Sequence, residues 1–280
     1  MIIHYYIFDP TGNITALVET AVPPEEQPAV ASRIMKKHPD VEQVGFVRVY
    51  DDAGCSGYQA ELRMAGGEFC GNATMSAAAL YALKNGNCPE SVLVKASGVK
   101  SPVEVRLTRK DGEAFDAEVL MPPALGIEER DEEIETETVT VSDTIPVVRM
   151  EGIDHAIIDR RSRFYLLRNL PAAAETTVKE LCGRLGSDCL GMMFMTDAGE
   201  NGEWGLLPLV YVPGADTVFW ENSCASGSTA AGMYLAAEEG RAVDISFDEP
   251  AGKLRVKSDP GSGETWLIGA VKLSAEGRLV

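Results

Sequence analysis

The feature that most constrains the fold of this chain is a cysteine at the start of a helical segment, which occurs twice. The stretch GGEFCGNATMSAAAL places Cys70 between a glycine-rich turn and a run of small helix-forming residues. The stretch ENSCASGSTAAGMYLAAEEG places Cys224 similarly, and in each case a glycine follows sixteen residues later, at Gly86 and Gly240. Because glycine commonly ends helices, each segment predicts one helix that begins just after its cysteine.

A similar order of predicted elements surrounds both helices. Alternating apolar residues predict strands on either side of the first helix, in NITALVETAV, EQVGFVRVY, YQAELRM, SVLVKAS, PVEVRLTR and FDAEVLM. Around the second helix the predicted strands are HAIIDR, RFYLLRN, GMMFMTD, LLPLVYV, VDISFD, KLRVKSD and TWLIGAVKL. Two further helices are predicted, over residues 24–37 and in ETTVKELCGRL. The repeat predicts an α+β chain of two lobes related by internal duplication, with the acidic segment GIEERDEEIETETV as the linker.

Composition limits the classes of partner. The 280 residues include 43 acidic and 25 basic side chains, and the net charge of −18 opposes binding to nucleic acid or to an anionic membrane surface. We find neither the roughly 18 consecutive apolar residues of a membrane span nor a secretory signal, and expect a cytoplasmic protein. The six cysteines lack CxxC spacing and nearby histidines, so we expect no metal.

Two of the cysteines are candidates for chemistry. The amides and dipole at a helix N-terminus favour negative charge and can lower a thiol pKa from about 8.5 to roughly 3.5–7.5, which is the expectation for Cys70 and Cys224. The small residues that follow would let a carboxylate approach the helix amides. The other cysteines are expected to be small core residues: Cys55, Cys88, Cys182 and Cys189.

The chemistry expected of the pair is symmetric acid and base catalysis. A protease-type cysteine needs a neighbouring base, yet His4 and His38 are expected to be structural, and only His155 stays open as a site residue. One thiolate could instead remove a proton from carbon while the other thiol delivers one to the opposite face, which inverts a stereocentre. A dithiol redox protein and a ligand-binding module without chemistry remain alternatives at this point.

Three motifs resemble the diaminopimelate epimerase superfamily, the amino-acid racemases and epimerases that work without pyridoxal phosphate. They are PTGNITALV, GGEFCGNATMS and SCASGSTAAG, in the expected order along nearly the whole chain. The resemblance implies two pseudo-symmetric lobes, each a curved antiparallel sheet or barrel around a central helix. It places residues 1–124 with 264–280 in an N-terminal lobe carrying Cys70, and residues 125–263 in a C-terminal lobe carrying Cys224.

The resemblance also implies roles for individual residues and needs no cofactor. Cys70 and Cys224 would be the acid and base pair. The substrate-binding residues that it implies are Asn13 for polar groups near the α-carbon, Glu221 for the ammonium group, and the amides around Gly71, Asn72, Ala225 and Ser226 for the α-carboxylate. The expected partner is therefore a small-molecule amino acid, and a homodimer is left open.

The expected substrate depends on which branch of the superfamily the sequence resembles more. The stretches GIDHAII and VPGADTVFWENSC lack the residues typical of diaminopimelate epimerases, whereas PTGN, EQVGF, FCGNATM and FWENSCASG are similar to the histidine racemase branch of metallophore synthesis. The resemblance thus favours a histidine racemase. Diaminopimelate epimerase and a non-catalytic amino-acid-binding module of the same fold remain the alternatives.

Overall fold

The computed structural model describes residues 2–50, 57–86, 88–199 and 202–280. Its α-helices are α1 Gln27–Lys37, α2 Gly71–Lys84, α3 Pro171–Leu185 and α4 Ala225–Glu239. Its 3₁₀ helices are Pro24–Glu26, Arg163–Asn169 and Pro213–Ala215. Its strands are β1 Ile3–Pro10, β2 Thr15–Val18, β3 Gln43–Val49, β4 Ala60–Met64, β5 Ser91–Ala96, β6 Val103–Arg109, β7 Ala114–Leu120, β8 Gly126–Glu135, β9 Thr140–Met150, β10 Ile153–Ile158, β11 Leu190–Met195, β12 Trp204–Val212, β13 Thr217–Trp220, β14 Val243–Glu249, β15 Gly252–Asp259 and β16 Glu264–Leu279.

The chain divides into two compact units. The first contains residues 1–121 and 266–280, and the second contains residues 122–265. Cys70 belongs to the first unit and Cys224 to the second.

The strands of the first unit form a closed barrel around one helix. Pairing runs from β1 through β7, continues to β16, and returns from β16 to β1, which gives eight strands without a sheet edge. Helix α2 contacts all of β1 to β7, and every residue from Gly71 to Leu80 is buried. An eight-stranded barrel leaves little interior space, so only a helix of mostly small residues fits there. This requirement explains the alanine-rich sequence of α2.

The second unit repeats the pairing order of the first. The strand pairs β9–β10, β11–β12 and β14–β15 are antiparallel, whereas β10–β11 and β12–β14 are parallel. The same alternation runs from β1 to β6, with parallel pairs at β2–β3 and β4–β5. In both units a helix connects each parallel pair, and the second such helix, α2 or α4, follows the cysteine. The predicted α+β class and repeated plan of the two lobes are confirmed.

Helix α4 occupies the position in the second unit that α2 has in the first. It contacts β9, β10, β11, β14 and β15, and its residues 225–236 are all buried. Helix α3 packs with the buried residues of β8 to β12 in a separate apolar cluster that includes Leu181 and Cys182. None of the described helices is long and apolar enough to span a membrane.

The acidic segment predicted as a linker is a strand instead. Gly126–Glu135 forms β8, which pairs with β9 from Gly126 opposite Arg149 to Glu135 opposite Thr140. The side chain of Ile134 is buried, while most of the charged side chains are exposed. The many glutamates suggest a solvated linker, but the segment is a strand with alternating side chains whose inner face packs on the core.

The segment RFYLLRN, predicted as a strand, is also different. It forms the 3₁₀ helix Arg163–Asn169, which Ser162 caps by accepting a hydrogen bond from the backbone N–H of Phe164 at 3.2 Å. Phe164 and Leu167 are the buried residues, and their spacing of three matches the three residues per turn of a 3₁₀ helix. An apolar run as short as this one does not distinguish a 3₁₀ helix from a strand.

Two glycines inside helices give a matched test of the packing. A Cβ atom at Gly232 of α4 would lie 2.5 Å from Cγ1 of Val256, whereas a Cβ at Gly183 of α3 would meet nothing within 4 Å. We expect Gly232→Ala to reduce the free energy of unfolding by about 1–3 kcal/mol through overpacking. We expect Gly183→Ala to raise it by about 0.5–1 kcal/mol, because alanine restricts the unfolded chain. Urea denaturation measures both, and equal shifts in the two variants would contradict this description of α4.

Candidate active site

Cys70 caps the N-terminus of α2 with its own sulfur. The residue has an extended conformation, with φ −135° and ψ 113°, and its Sγ accepts a hydrogen bond from the backbone N–H of Ala73 at 3.3 Å. Thr74 Oγ1 donates to the carbonyl oxygen of Cys70 at 2.7 Å. The sulfur thus takes the place that a serine or aspartate oxygen usually takes at a helix start. The predicted site residues Gly71 and Asn72 follow as the first two buried residues of the helix.

Asn13 lies in the turn between β1 and β2 and is fully buried. The turn brings Gly12 to a positive φ of 88°, and Asp9 Oδ1 accepts the Gly12 N–H at 2.6 Å. The Asn13 side chain donates to Glu42 Oε2 at 2.9 Å and accepts from Gln43 Nε2 at 2.7 Å. These contacts fix the amide orientation. Sequence analysis gives Glu42 and Gln43 no role at the site, although they open the stretch EQVGF, because nothing local shows that they contact Asn13.

The N-terminus of α4 is capped differently, although its sequence resembles that of α2. Cys224 has the same extended conformation, with φ −125° and ψ 102°, but among the described residues its side chain makes no capping hydrogen bond to the helix. Glu249, at the end of β14, binds two groups at the start of this helix. Its Oε2 accepts the backbone N–H of Cys224 at 2.6 Å, and its Oε1 accepts the hydroxyl of Ser228.

The environment of Cys224 opposes a thiolate. Burial raises the pKa of the Cys224 thiol well above its usual range, and the charges of Glu221 and Glu249 and a hydrogen bond to Glu221 raise it further. The N–H of Gly227 is the smallest influence and lowers this pKa. The expectation of a lowered pKa is therefore wrong for Cys224, because desolvation and two carboxyl groups outweigh the helix dipole.

The other predicted residues of the second unit surround Cys224. Ala225 and Ser226 are the first residues of α4 and are buried, and Glu221 is half-buried. The Oγ atom of Ser226 lies 3.7 Å from the Cys224 sulfur. The structure therefore brings these three residues and Cys224 together at one helix end.

His155, left open by the sequence, lies beside this group. It is fully buried in β10, and its Nε2 lies 3.1 Å from Ser226 Oγ. Burial lowers the pKa of His155 to about 4, and the charge of Asp154 only partly opposes this shift. The imidazole is therefore neutral at pH 7. The uncharged ring of His155 therefore contacts Ser226, two residues after Cys224.

Comparison with known proteins now identifies the family. Residues 2–280 match the family model described as Histidine racemase CntK N-terminal domain. This chain belongs to that family. It is 29% identical to the histidine racemase of Fusobacterium nucleatum subsp. nucleatum (strain ATCC 23726 / VPI 4351), over 99% of this chain and 97% of that protein. It is 27% identical to the histidine racemase of Staphylococcus aureus (strain Mu50 / ATCC 700699), over 92% and 89% of the two chains.

The fold is also found in a solved structure. A crystal structure of a hydroxyproline epimerase from Agrobacterium vitis, with bound trans-4-hydroxy-L-proline, matches with a TM-score of 0.66 at 12% identity. The match covers 99% of this chain and 92% of that one. The resemblance to the histidine racemase branch is confirmed, and the chain is an isomerase of the amino-acid racemase class.

The residue that sequence reasoning missed at Cys224 is Glu249. The predicted strand VDISFD stops one residue before Glu249, and an acidic residue before Pro250 is ordinary in a turn. Glu249 lies 25 residues from Cys224 in sequence, and only the parallel pairing of β12 with β14 brings it to the start of α4. No local pattern carries this information.

The buried imidazole gives a test of the site in solution. We expect the His155 resonances to stay in the neutral form as the pH is lowered from 7 to about 5, because its pKa is about 4 in the folded protein. Between about pH 6.5 and pH 4 the unfolded chain binds a proton at this residue and the folded chain does not. Stability should therefore fall over that window, by about 3 kcal/mol in total.

The measurement is an NMR titration of the three histidines, with His155→Gln identifying the resonance. The same variant should lose this part of the pH dependence of urea unfolding. A His155 resonance that titrates near pH 6.5 would contradict the buried neutral imidazole.

Proposed function

We propose that this protein is a cofactor-independent histidine racemase in which Cys70 and Cys224 act as acid and base on opposite faces of the substrate α-carbon. The observation that carries the proposal is the matching position of the two cysteines. Each is the extended residue that immediately precedes a buried helix, and the two helices connect equivalent strand pairs of a repeated topology. Core packing alone does not require a cysteine at both positions.

The helix starts supply the stabilisation that a cofactor would otherwise provide. Removing the α-proton of an amino acid places negative charge on the α-carbon and its carboxylate. The first-turn amides of a helix have no partners within the helix, so those around Gly71, Asn72, Ala225 and Ser226 would hold the α-carboxylate. All four residues are buried, and helix dipoles act more strongly on charge when water is excluded. The carbanion would thereby be stabilised electrostatically.

The ammonium and side-chain contacts are proposed from the surrounding polar groups. Glu221 would receive the substrate ammonium, and Asn13, held by Glu42 and Gln43, would contact polar groups near the α-carbon. Glu221 hydrogen bonds with the Cys224 thiol, so binding of an ammonium group there would alter the surroundings of that thiol. Histidine as the substrate is supported by the family and by the relatives named histidine racemases. A cytoplasmic location and a homodimer stay predictions.

The two-cysteine proposal predicts that each thiol is essential. Cys70→Ser and Cys224→Ser should each lower the rate of histidine racemisation by at least about 100-fold, because general acid and base groups contribute factors of that order. Cys88→Ser is the matched control, since Cys88 is half-buried and its sulfur contacts the carbonyl of Leu107 at 3.6 Å. Circular dichroism of histidine solutions measures the rate.

Substantial turnover in either variant would defeat the two-base mechanism. Epimerisation of meso-diaminopimelate, without any racemisation of histidine, would instead favour the epimerase alternative. Tight histidine binding by the unmodified protein without racemisation would favour an amino-acid-binding module.

A further inference from the structure

The two cysteine helices begin in the same backbone conformation but are capped by different chemical groups. At α2 the thiol of Cys70 accepts the N–H of Ala73 at 3.3 Å. At α4 the carboxyl group of Glu249 accepts the N–H of Cys224 itself at 2.6 Å. The sulfur is the capping group at α2, whereas at α4 a carboxyl group from β14 binds the backbone N–H of the cysteine.

The hydroxyl four residues after each cysteine shows the same difference. Thr74, four residues after Cys70, donates to the carbonyl oxygen of Cys70 at 2.7 Å. Ser228, four residues after Cys224, instead donates to Glu249 Oε1. Only in the second unit, therefore, does the hydroxyl at this position bind a carboxyl group, that of Glu249.

The strand after each helix supplies the reason. Strand β14 follows α4 and ends at Glu249, whereas β5 follows α2 and ends at Ala96, with Ser97 next in the chain. Ala96 and Ser97 cannot ionise, so the end of β5 places no carboxyl group in the first unit. The duplicated units therefore differ in one acidic residue at the corresponding strand end.

We infer that Glu249 is a positioning residue for the racemase reaction: its carboxyl group holds the backbone N–H of Cys224 and the hydroxyl of Ser228 at the start of α4, and its charge there opposes a Cys224 thiolate, which favours the thiol form before substrate binds. Two negative charges at one buried helix end repel each other and are poorly solvated, so only one of the two groups ionises there. Glu249 is the better placed of the two, because it already accepts two hydrogen bonds that stabilise its ionised form.

The charged groups around Cys224 agree with this inference. Glu221 precedes the helix, Glu249 comes from β14, and His155 of β10 is neutral and reaches the site through Ser226. Burial raises the pKa of Glu249 to about 8, with the bonds from Ser228 and Cys224 opposing the rise. The pKa of Cys224 is raised well above its own usual range. Burial and the charge of Glu221 are the larger causes at Cys224, and the charge of Glu249 opposes ionisation of the thiol in the same direction.

The consequence for catalysis rests on the proposed two-cysteine function. A racemase of that kind needs one thiolate and one thiol at the start of each turnover. With Glu249 in place, Cys224 starts as the proton donor. The substitution Glu249→Gln should remove this bias while keeping an oxygen that can accept the N–H of Cys224.

The test is the pH dependence of alkylation at Cys224 without substrate. Iodoacetamide reacts with thiolates, and mass spectrometry of the digested protein reports each cysteine separately. We expect Glu249→Gln to lower the pH midpoint for Cys224 by roughly 1 unit or more and to leave the midpoint for Cys70 unchanged. Glu239→Gln, at the exposed far end of α4, is the control and should change neither midpoint.

An unchanged Cys224 midpoint in folded Glu249→Gln protein would overturn the inference. Should that variant not fold, Glu249→Asp decides: it keeps the carboxyl group but shortens the side chain by one methylene, which draws the charge away from Cys224, so the Cys224 midpoint should move down, and no movement overturns the inference. The measurement uses no substrate. A shifted midpoint in a protein that does not racemise histidine would therefore reject the proposed function alone.

Discussion

The burial of an entire helix against a surrounding sheet is the constraint on which the rest of this structure depends. Helix α2 lies within a closed ring of eight strands, and α4 is buried from Ala225 to Ala236. Such helices must be built from alanine, glycine, serine and threonine, because larger side chains would not fit. Their N-terminal amides then lie where water is largely excluded. The helix dipole therefore acts on the capping group with little screening by solvent.

A cysteine at this position can acquire either of two characters. Where the sulfur itself accepts the helix amides, as at Cys70, the dipole acts on the thiol directly. Where a carboxyl group binds the backbone N–H of the cysteine, as Glu249 does at Cys224, burial and the neighbouring carboxyl groups dominate the thiol. The two duplicated sites are therefore chemically unequal. A two-base racemase requires such inequality at the start of each turnover, when one group must hold a proton and the other must not.

Much of the fold could be predicted because its signals are local. Helix α2 was predicted from Gly71 to about Asn85 and runs to Lys84, since cysteine, small residues and a terminal glycine follow one another directly in sequence. The repeated strand order was visible for the same reason. Strand β8 was not, because its pairing with β9 and the burial of Ile134 decide its conformation, while the local glutamates suggest a solvated linker. The 3₁₀ helix at Arg163–Asn169 depended on a capping bond that sequence does not show.

In the candidate site, too, the residues with local sequence signals could be predicted and those placed by distant contacts could not. The two cysteines and the small residues after them form motifs, so they could be found. Glu249 reaches Cys224 only through the parallel pairing of β12 with β14, and Glu42 and Gln43 reach Asn13 from β3 and the residue before it. The sign of the Cys224 pKa shift follows from burial first and from Glu221 and Glu249 next, whereas the helix position alone predicts the opposite direction.

The most direct test of the central claim is the isotopic course of histidine racemisation in deuterated water, followed by NMR or mass spectrometry early in the reaction. If separate thiols remove and deliver the proton, the newly formed enantiomer carries deuterium at the α-carbon while the unreacted enantiomer retains its original hydrogen. Deuterium appearing equally in both enantiomers, or product that retains the original hydrogen, would contradict the account, because either result means that a single group handles both faces.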